Sequence, residues 1–358
     1  MAVGENYIKG RGAQANVSNK FDALHHELRD DFLNYCAIEG EETRDAKTTL
    51  IDTFPKTVVN KINSPDINLE YSLNPYQGCE HGCVYCYARN SHEYWGYSAG
   101  LDFEQKILVK QNCVELLEKK LQSSRWNAAP IVLSGNTDCY QPIEKKLEIT
   151  RKLLQTFLKY KHPVGIITKN ALIQRDIDVL KELAADNLVK VNLSITSLDE
   201  DIRRMLEPRT ATVKKRLETL EILSKANIPV SVMMAPIIPG INSHEIIPLV
   251  KAVAERGALG VGYTMVRLNG AIAGIFENWI RKTMPDRADK VLHQIQECHG
   301  GNLNDSQWGR RMKGSGNIAA QVEQQFKIAR KKYLKGKDLP PLNCELHREF
   351  KNGQMRLF

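Results

Sequence analysis

Asn74-Pro-Tyr-Gln-Gly-Cys79-Glu-His-Gly-Cys83-Val-Tyr-Cys86-Tyr-Ala-Arg89 is the stretch on which the reading of this chain turns, and it follows directly on the short apolar run Tyr71–Leu73. Three cysteines at C-x3-C-x2-C spacing can bring their thiolates to one small, soft metal centre, because the chain between them has only to wrap a single object. Gly78 and Gly82 permit the positive backbone dihedrals that such a wrap needs. Two centres suit the spacing. A [4Fe–4S] cubane held by three thiolates keeps its fourth iron open for a substrate or cofactor. A structural zinc would take His81 or His92 as fourth ligand, but such sites favour a second Cys-x2-Cys pair, which the chain lacks.

Outward from this loop, short apolar runs alternate with longer amphipathic ones. The runs are Tyr71–Leu73, Ile131–Leu133, Val164–Ile167, Val189–Ile195, Ile228–Met234 and Gly260–Val266. Helical periodicity falls between them at Cys113–Leu121, Ile143–Tyr160, Leu172–Ala185, Val213–Ala226 and Ile246–Arg256. Six strands with crossover helices predict an α/β chain with a parallel sheet, and right-handed crossovers curl it into a partial (βα)6 TIM-type barrel. The expected organisation is an N-terminal extension over 1–65, the barrel over 66–270 and a helical C-terminal region over 271–358. In the extension, Phe21–Tyr35 carries helical spacing. In the C-terminal region, Ile275–Ile280, Ala288–Ile295 and Ile318–Leu334 read as helices, the last presenting one apolar face.

The 358 residues are 42% apolar and 26% charged, as in an ordinary globular protein. The most apolar stretch, Ile228–Ile241, is broken by Pro229, Pro236 and Pro239, so no membrane span is expected. The first residues lack an apolar leader, and eight cysteines in a long chain do not form a secreted disulfide framework; both point to the cytoplasm. The net charge of +8 is local. Residues 310–358 hold 12 Lys/Arg against 4 Asp/Glu, while the first 309 hold 38 of each. This basic tail is either a nucleic-acid contact or a solvated helix face.

The cysteine loop resembles the signature of the radical S-adenosylmethionine (SAM) superfamily, C-x3-C-x-aromatic-C, with Tyr85 in the aromatic place. Within it the chain resembles the spore photoproduct lyase-like group, also labelled "DNA repair photolyase". The matching stretches are Ser134-Gly-Asn-Thr-Asp138 with Tyr140-Gln-Pro142, Thr168-Lys169 with Arg175-Asp176, Glu207-Pro-Arg209, Ala235–Gly240, Arg267-Leu268 and Arg311–Gly316. The resemblance implies that Cys79, Cys83 and Cys86 hold a [4Fe–4S] cluster whose open iron is chelated by SAM. It also implies reductive cleavage of SAM to a 5′-deoxyadenosyl radical that abstracts hydrogen, with electrons from a flavodoxin- or ferredoxin-type donor. The group label suggests a nucleic-acid lesion or base as substrate.

The polar residues that follow the strand runs support a single rim, because barrel sites lie at the C-terminal strand ends. On the resemblance, Tyr85 flanks the adenine and the Gly135-Asn136 turn approaches the SAM amino group. Asp138 lies on the same rim. Ser194 or Thr196 reaches the ribose hydroxyls, or else satisfies itself in the core. Glu207 and Arg209 form a carboxylate–guanidinium pair near the SAM carboxylate, or a surface ion pair. Lys169 and Arg267 supply positive charge for the SAM carboxylate or an anionic substrate, or are scaffold salt bridges. Pro236 and Gly240 shape an apolar wall. Cys139 is either a hydrogen-atom donor or an ordinary buried thiol; the lyase donor lies slightly earlier, where this chain has Gly135 and Asn136. Two rival functions stand beside the radical enzyme: a zinc-stabilised nucleic-acid-binding module, and a sensor that binds cluster and SAM without turnover. Oligomeric state is not read from the sequence.

Overall fold

The computed structural model describes residues 8–21, 47–67 and 69–351. The predicted helix Phe21–Tyr35 lies outside the described residues beyond Phe21. Ten strands form two sheets among the described residues: β1 (Thr49–Thr53), β2 (Val59–Lys61), β3 (Tyr71–Leu73), β4 (Tyr76–Gln77), β5 (Lys106–Lys110), β6 (Ile131–Leu133), β7 (Val164–Thr168), β8 (Val189–Ser194), β9 (Val230–Ile237) and β10 (Val261–Met265). The main sheet runs β10-β9-β8-β7-β6-β3-β2. Its six strands from β3 to β10 are parallel and in chain order, as the six apolar runs predict. Helices Cys113–Gln122, Ile149–Lys159, Ile177–Ala185, Val213–Lys225 and Ile246–Glu255 fill the crossovers.

Two faces of these strands differ in kind. Leu73, Ile131, Leu133, Ile166, Val191, Val232 and Met234 belong to the large core under the helices. The alternate positions mix small and polar residues, Ser72, Gly165, Asn192, Ser231, Gly262 and Thr264, with the apolar Val132 and Met233. They meet one another across the inner face. The Ser231 hydroxyl donates to Asn192 Oδ1, and a Cβ on Gly165 or Gly262 would press on Val132 or Met233.

The structure corrects several expectations. The boundary at residue 65 falls between β2 and β3, which pair antiparallel. Within the extension, expected to be partly irregular, residues 49–61 hold two strands: β1 pairs with β5 in a second, three-stranded sheet, and β2 edges the main one. The expected helix Ile143–Tyr160 breaks at Glu148, which adopts φ 52°, into Glu144–Leu147 and Ile149–Lys159. The expected helix Leu172–Ala185 opens with a 3-10 segment, Ala171–Asp176, capped by the Asn170 side chain.

The C-terminal region is helical over Ile272–Thr283, Pro285–Cys298, Gly316–Tyr333 and Glu345–Lys351. Its basic residues partly serve packing. Arg330 donates to the Val261 carbonyl at 2.8 Å and Lys337 to the Ala254 carbonyl at 2.7 Å. Lys351 bonds the Ser123 and Trp126 carbonyls at 2.7 and 2.8 Å.

The last of these helices docks through a histidine pair. The His347 and His162 rings meet edge-on at 4.7 Å, with Trp126 Nε1 donating to His162 Nε2 and His347 Nδ1 against the Tyr160 carbonyl. Burial, and then His347, depress His162 to about 3; burial likewise lowers His347, with Lys351 adding to it. Both folded values lie below the ordinary 6.5, so the undocked form takes up protons first. Docking is therefore complete above pH 6.5 and weakens as pH falls from 6.5 towards 3. Amide exchange over residues 345–351 should accelerate from pH 7 to pH 5 after correction for intrinsic rates, and His347→Gln should flatten that dependence. Equal protection at both pH values in the unsubstituted protein would contradict this docking model.

Candidate active site at the strand ends

The cysteine loop leaves β3 and is tied on all sides. The Cys79 amide donates to the Phe103 carbonyl at 2.8 Å, and Val84 to Leu206 at 3.1 Å. Glu80 N–H meets Gln141 Oε1 at 2.9 Å, while its carboxylate receives the Ile143 amide at 2.8 Å and the Thr48 hydroxyl at 2.9 Å. Gly78 and Gly82 take φ of 83° and 68°, as the wrap requires.

Behind the loop lies an ion pair that no local pattern announces. Arg89 and Glu104 are both fully buried and bonded to one another. Arg89 also donates through Nε to the Cys83 carbonyl at 3.0 Å and through a terminal nitrogen to Gly100. The Glu104 carboxylate accepts the Gly12 and Ala13 amides at 3.1 and 2.8 Å. The N-terminal segment, without evident chemistry in the sequence, thus lies across the loop, so close that a Cβ on Gly12 would sit 1.7 Å from the Gly82 carbonyl oxygen.

Cys79 and Cys83 are buried and Cys86 nearly so, all as free thiols. Burial pushes Cys83 and Cys86 up, and each also feels the neighbouring cysteines, so the three share one neighbourhood. Cys79 and Cys86 pack with Ala88 and Phe103, and Cys83 with Val84 and Tyr85. Three soft donors in an apolar, water-poor nest suit an iron–sulfur cluster. Among the described residues no three His, Cys, Asp or Glu side chains are disposed around one metal ion. Thiolates bound to three separate irons need not converge on one point as zinc ligands must.

Glu207 is fully buried beside this nest. It accepts from the Tyr85 and Thr196 hydroxyls on one oxygen and from Arg216 on the other. Burial opposes its charge, but Arg216 and then Lys169 outweigh this and hold the carboxyl down to about 2. Lys169 follows β7, with Cys83 and Glu207 among the charges acting on it. Asp138 joins the strand ends: it accepts the Thr168 hydroxyl, the Lys169 amide and the Tyr140 amide, each at 2.8 Å. His81 stands 3.4 Å from it. Burial resists charge on His81, but Asp138 and Cys79 raise it to about 9.

Cys79, Cys83, Cys86, Tyr85, Asp138, Lys169, Thr196 and Glu207 are therefore one assembly, with the Ser194 carbonyl reached by Arg216 at 3.0 Å. Other expectations change. The partner of Glu207 is Arg216, not Arg209, which pairs with Glu80 at 3.3 Å. Gly135 faces Ser72, where a Cβ would come within 2.8 Å, so its size is already required by packing on β3. The Asn136 amide donates to Asn74 at 2.8 Å and its side chain to Ser91 at 3.0 Å. The Pro236 carbonyl accepts from Asn242 at 3.0 Å, and Gly240, at φ 77°, packs on Val291 and Gln294. Cys139 is fully buried in the main core, between the Ser134 and Thr150 hydroxyls, which is the buried-thiol alternative. Arg267 lies with Arg311, Asp66 and Asp305 rather than with the cysteines. A cleft of about 670 Å³ opens between the ends of β6 and β10, lined among others by Lys20, Tyr87, Ser91, Asn136 and Asn269.

Arg216 was findable. Val213, Arg216, Leu220 and Leu223 share the buried face of their helix, so the arginine stands in register with an apolar stripe.

A parallel six-strand sheet with a three-cysteine loop after its first parallel strand defines a radical SAM domain. The family model for the radical SAM superfamily matches residues 73–253, and the chain belongs to that superfamily, whose members are enzymes. An uncharacterised protein of Mycobacterium tuberculosis is 30% identical over 66% of this chain and 71% of its own length. Another, from Methanocaldococcus jannaschii, is 26% identical over 70% and 89%. Spore photoproduct lyase complexed with dinucleoside spore photoproduct superposes with a TM-score of 0.61 at 17% identity, covering 80% of each chain, and so shares the fold. No described helix is long and apolar enough to cross a membrane.

Proposed function

We propose that this chain holds a [4Fe–4S] cluster through Cys79, Cys83 and Cys86, binds SAM on its open iron, and abstracts hydrogen from a substrate at the barrel mouth. The observation that carries the reading is the meeting of three neighbouring thiols, two of them buried, with Lys169 and the Glu207–Arg216 pair at the C-terminal strand ends. When bound, cluster and SAM supply a 5′-deoxyadenosyl radical, given one electron from a flavodoxin- or ferredoxin-type reductant. Lys169, with its charge beside Cys83 and Glu207, would supply the positive charge for the SAM carboxylate. Tyr85 and Thr196 are fixed by Glu207, so their faces towards the cofactor are preset rather than adaptable. The Gly12 segment and Phe103 exclude water from the thiols. The cleft beside Tyr87 and Asn136 is the substrate mouth.

Return of a hydrogen atom from Cys139 is not part of this reading, since that thiol faces the core. A nucleic-acid lesion or base is the substrate class that the lyase–dinucleoside complex supports. In the basic tail, Arg330, Lys337 and Lys351 are engaged by backbone carbonyls, while Lys327, Lys331, Lys332 and Lys335 lie exposed along one helix and its end. The free thiols suit a reducing, cytoplasmic setting.

Anaerobic purification tests the reading. Brown protein with near-equal iron and sulfide is expected, releasing methionine and 5′-deoxyadenosine under dithionite. Cys83→Ala should lose the visible absorption and at least nine-tenths of that release, since even losing a partner that merely orients a ligand costs roughly 10–100-fold. Colourless protein carrying one zinc would favour the binding module. Bound SAM without cleavage would favour the sensor.

A further inference from the structure

Two stretches distant in sequence, Arg267-Leu268 and Arg311–Gly316, meet in space. Residues 303–312 run beside the end of β10: Leu268 N–H donates to the Leu303 carbonyl at 3.1 Å and Met265 N–H to the Met312 carbonyl at 2.9 Å. The same segment reaches the turn between β2 and β3, where Arg311 pairs with Asp66 and donates to the Ser64 hydroxyl at 2.9 Å. It thus straps the two edges of the open barrel together along a seam.

We infer that Arg267, on this seam, is the receptor for an anionic group of the substrate, a phosphate or a carboxylate. Three arginines and two aspartates gather here, and both aspartates are taken. Asp66 receives Arg311 on one oxygen and the Gly309 amide, at 2.6 Å, on the other. Asp305 receives Arg310 on one oxygen and the Gln307 amide, at 2.8 Å, on the other. Arg311 is further fixed by stacking 3.6 Å over the Trp308 ring, so it cannot swing away and release Asp66 without losing that contact. Among the described residues of this group, Arg267 is the arginine that neither aspartate bonds, although both act on it from nearby. Its one contact is a terminal nitrogen 3.5 Å from the Met312 sulfur, a weak acceptor, and its Nε is buried with no hydrogen-bond partner among the described residues.

A guanidinium with its fork unfilled is costly to keep half-buried unless something occupies it. Its planar donors match an oxyanion bidentately, as an ammonium would not. Val266 and Leu268, on either side, are pinned to Ile237 and Leu303, so the arginine is presented from a rigid strand end. Burial and the nearby Arg311 disfavour its charge, which a bound anion would relieve. The inference rests on reading the strand ends as the active-site rim, and assigns this seam to substrate rather than to SAM.

The test is titration calorimetry of the reconstituted holoprotein with inorganic phosphate and, in parallel, acetate at constant ionic strength. A saturable response to phosphate alone assigns a phosphate group, and to acetate a carboxylate. Arg267→Gln should weaken binding about ten-fold or more, the usual worth of a charge-assisted hydrogen bond. Arg267→Lys keeps the charge without the fork and should fall between. Asp305→Asn removes a carboxylate that competes with the anion for Arg267 and frees Arg310, and should tighten binding, a sign that a purely structural arginine would not give. No response to either anion, an unchanged response in Arg267→Gln, or weaker binding in Asp305→Asn would overturn the inference. The cluster's visible absorption is read in the same samples, so failure of anion binding with colour intact leaves the proposed function standing.

Discussion

Arg216→Met is expected to lower stability by about 3–5 kcal/mol, because it strands the Glu207 carboxylate in the core without its counter-ion. Against a native stability of roughly 5–15 kcal/mol, that is enough to unfold much of the protein. The Arg216 guanidinium also bonds the Ser194 and Ala211 carbonyls at 3.0 and 2.9 Å, so β8, the Glu207 loop and the following helix loosen together. Glu207→Gln in the same chain should recover part of the loss, since a neutral amide costs less to bury than an unpaired carboxylate. Acid unfolding supplies an independent sign. A carboxyl held at about 2, against 4.5 when free, contributes stability that is present above pH 4.5 and lost as pH falls towards 2. In Arg216→Met that window should move upward. Unfolding free energies from urea titration within about 0.5 kcal/mol of the parent, the spread of ordinary surface changes, would mean that Glu207 is not enclosed as described.

Glu104→Gln should have an effect of similar size through different contacts. It leaves Arg89 fully buried without a carboxylate, and it turns an amide nitrogen towards the Gly12 or Ala13 N–H, or towards Arg89 itself. We expect a loss of about 3–5 kcal/mol. We also expect release of the segment around residues 8–19 from the cysteine loop, visible as new proteolytic cleavage there. Cluster bleaching in air should accelerate before global unfolding, because the cover over Gly82 goes first. Bleaching at the parental rate, with cleavage in that segment, would show that the cover does not shield the cluster.

The sequence disclosed what depends on neighbours a few residues apart. Buried strands announce themselves as apolar runs, and the limits of β3 and β6 coincide with theirs. The cysteine loop is likewise local, its three cysteines fitting within eight residues. What stayed hidden depends on distant partners. β1 and β5 are short, half-polar and paired across more than fifty residues, so neither has a periodicity of its own. Glu104 and Gly12 meet only in the fold, and Glu207-Pro-Arg209 suggested an adjacent pair where the helix brings Arg216 instead. Cys139 sits one residue from a rim aspartate yet points inward, because alternate residues after a strand need not face the same way.

The alternation along the six parallel strands has one more consequence. Leu73, Ile166, Val191 and Val232 hold the helices on, while Ser72, Gly165, Asn192 and Ser231 look down the axis and take no part in that core. Durability and selectivity are thus written on opposite sides of the same ribbon. A change on the axial side is felt by a few same-face neighbours such as Val132 and Met233 rather than by the helices, and relatives that share this scaffold need share neither the shape nor the polarity of what they accept.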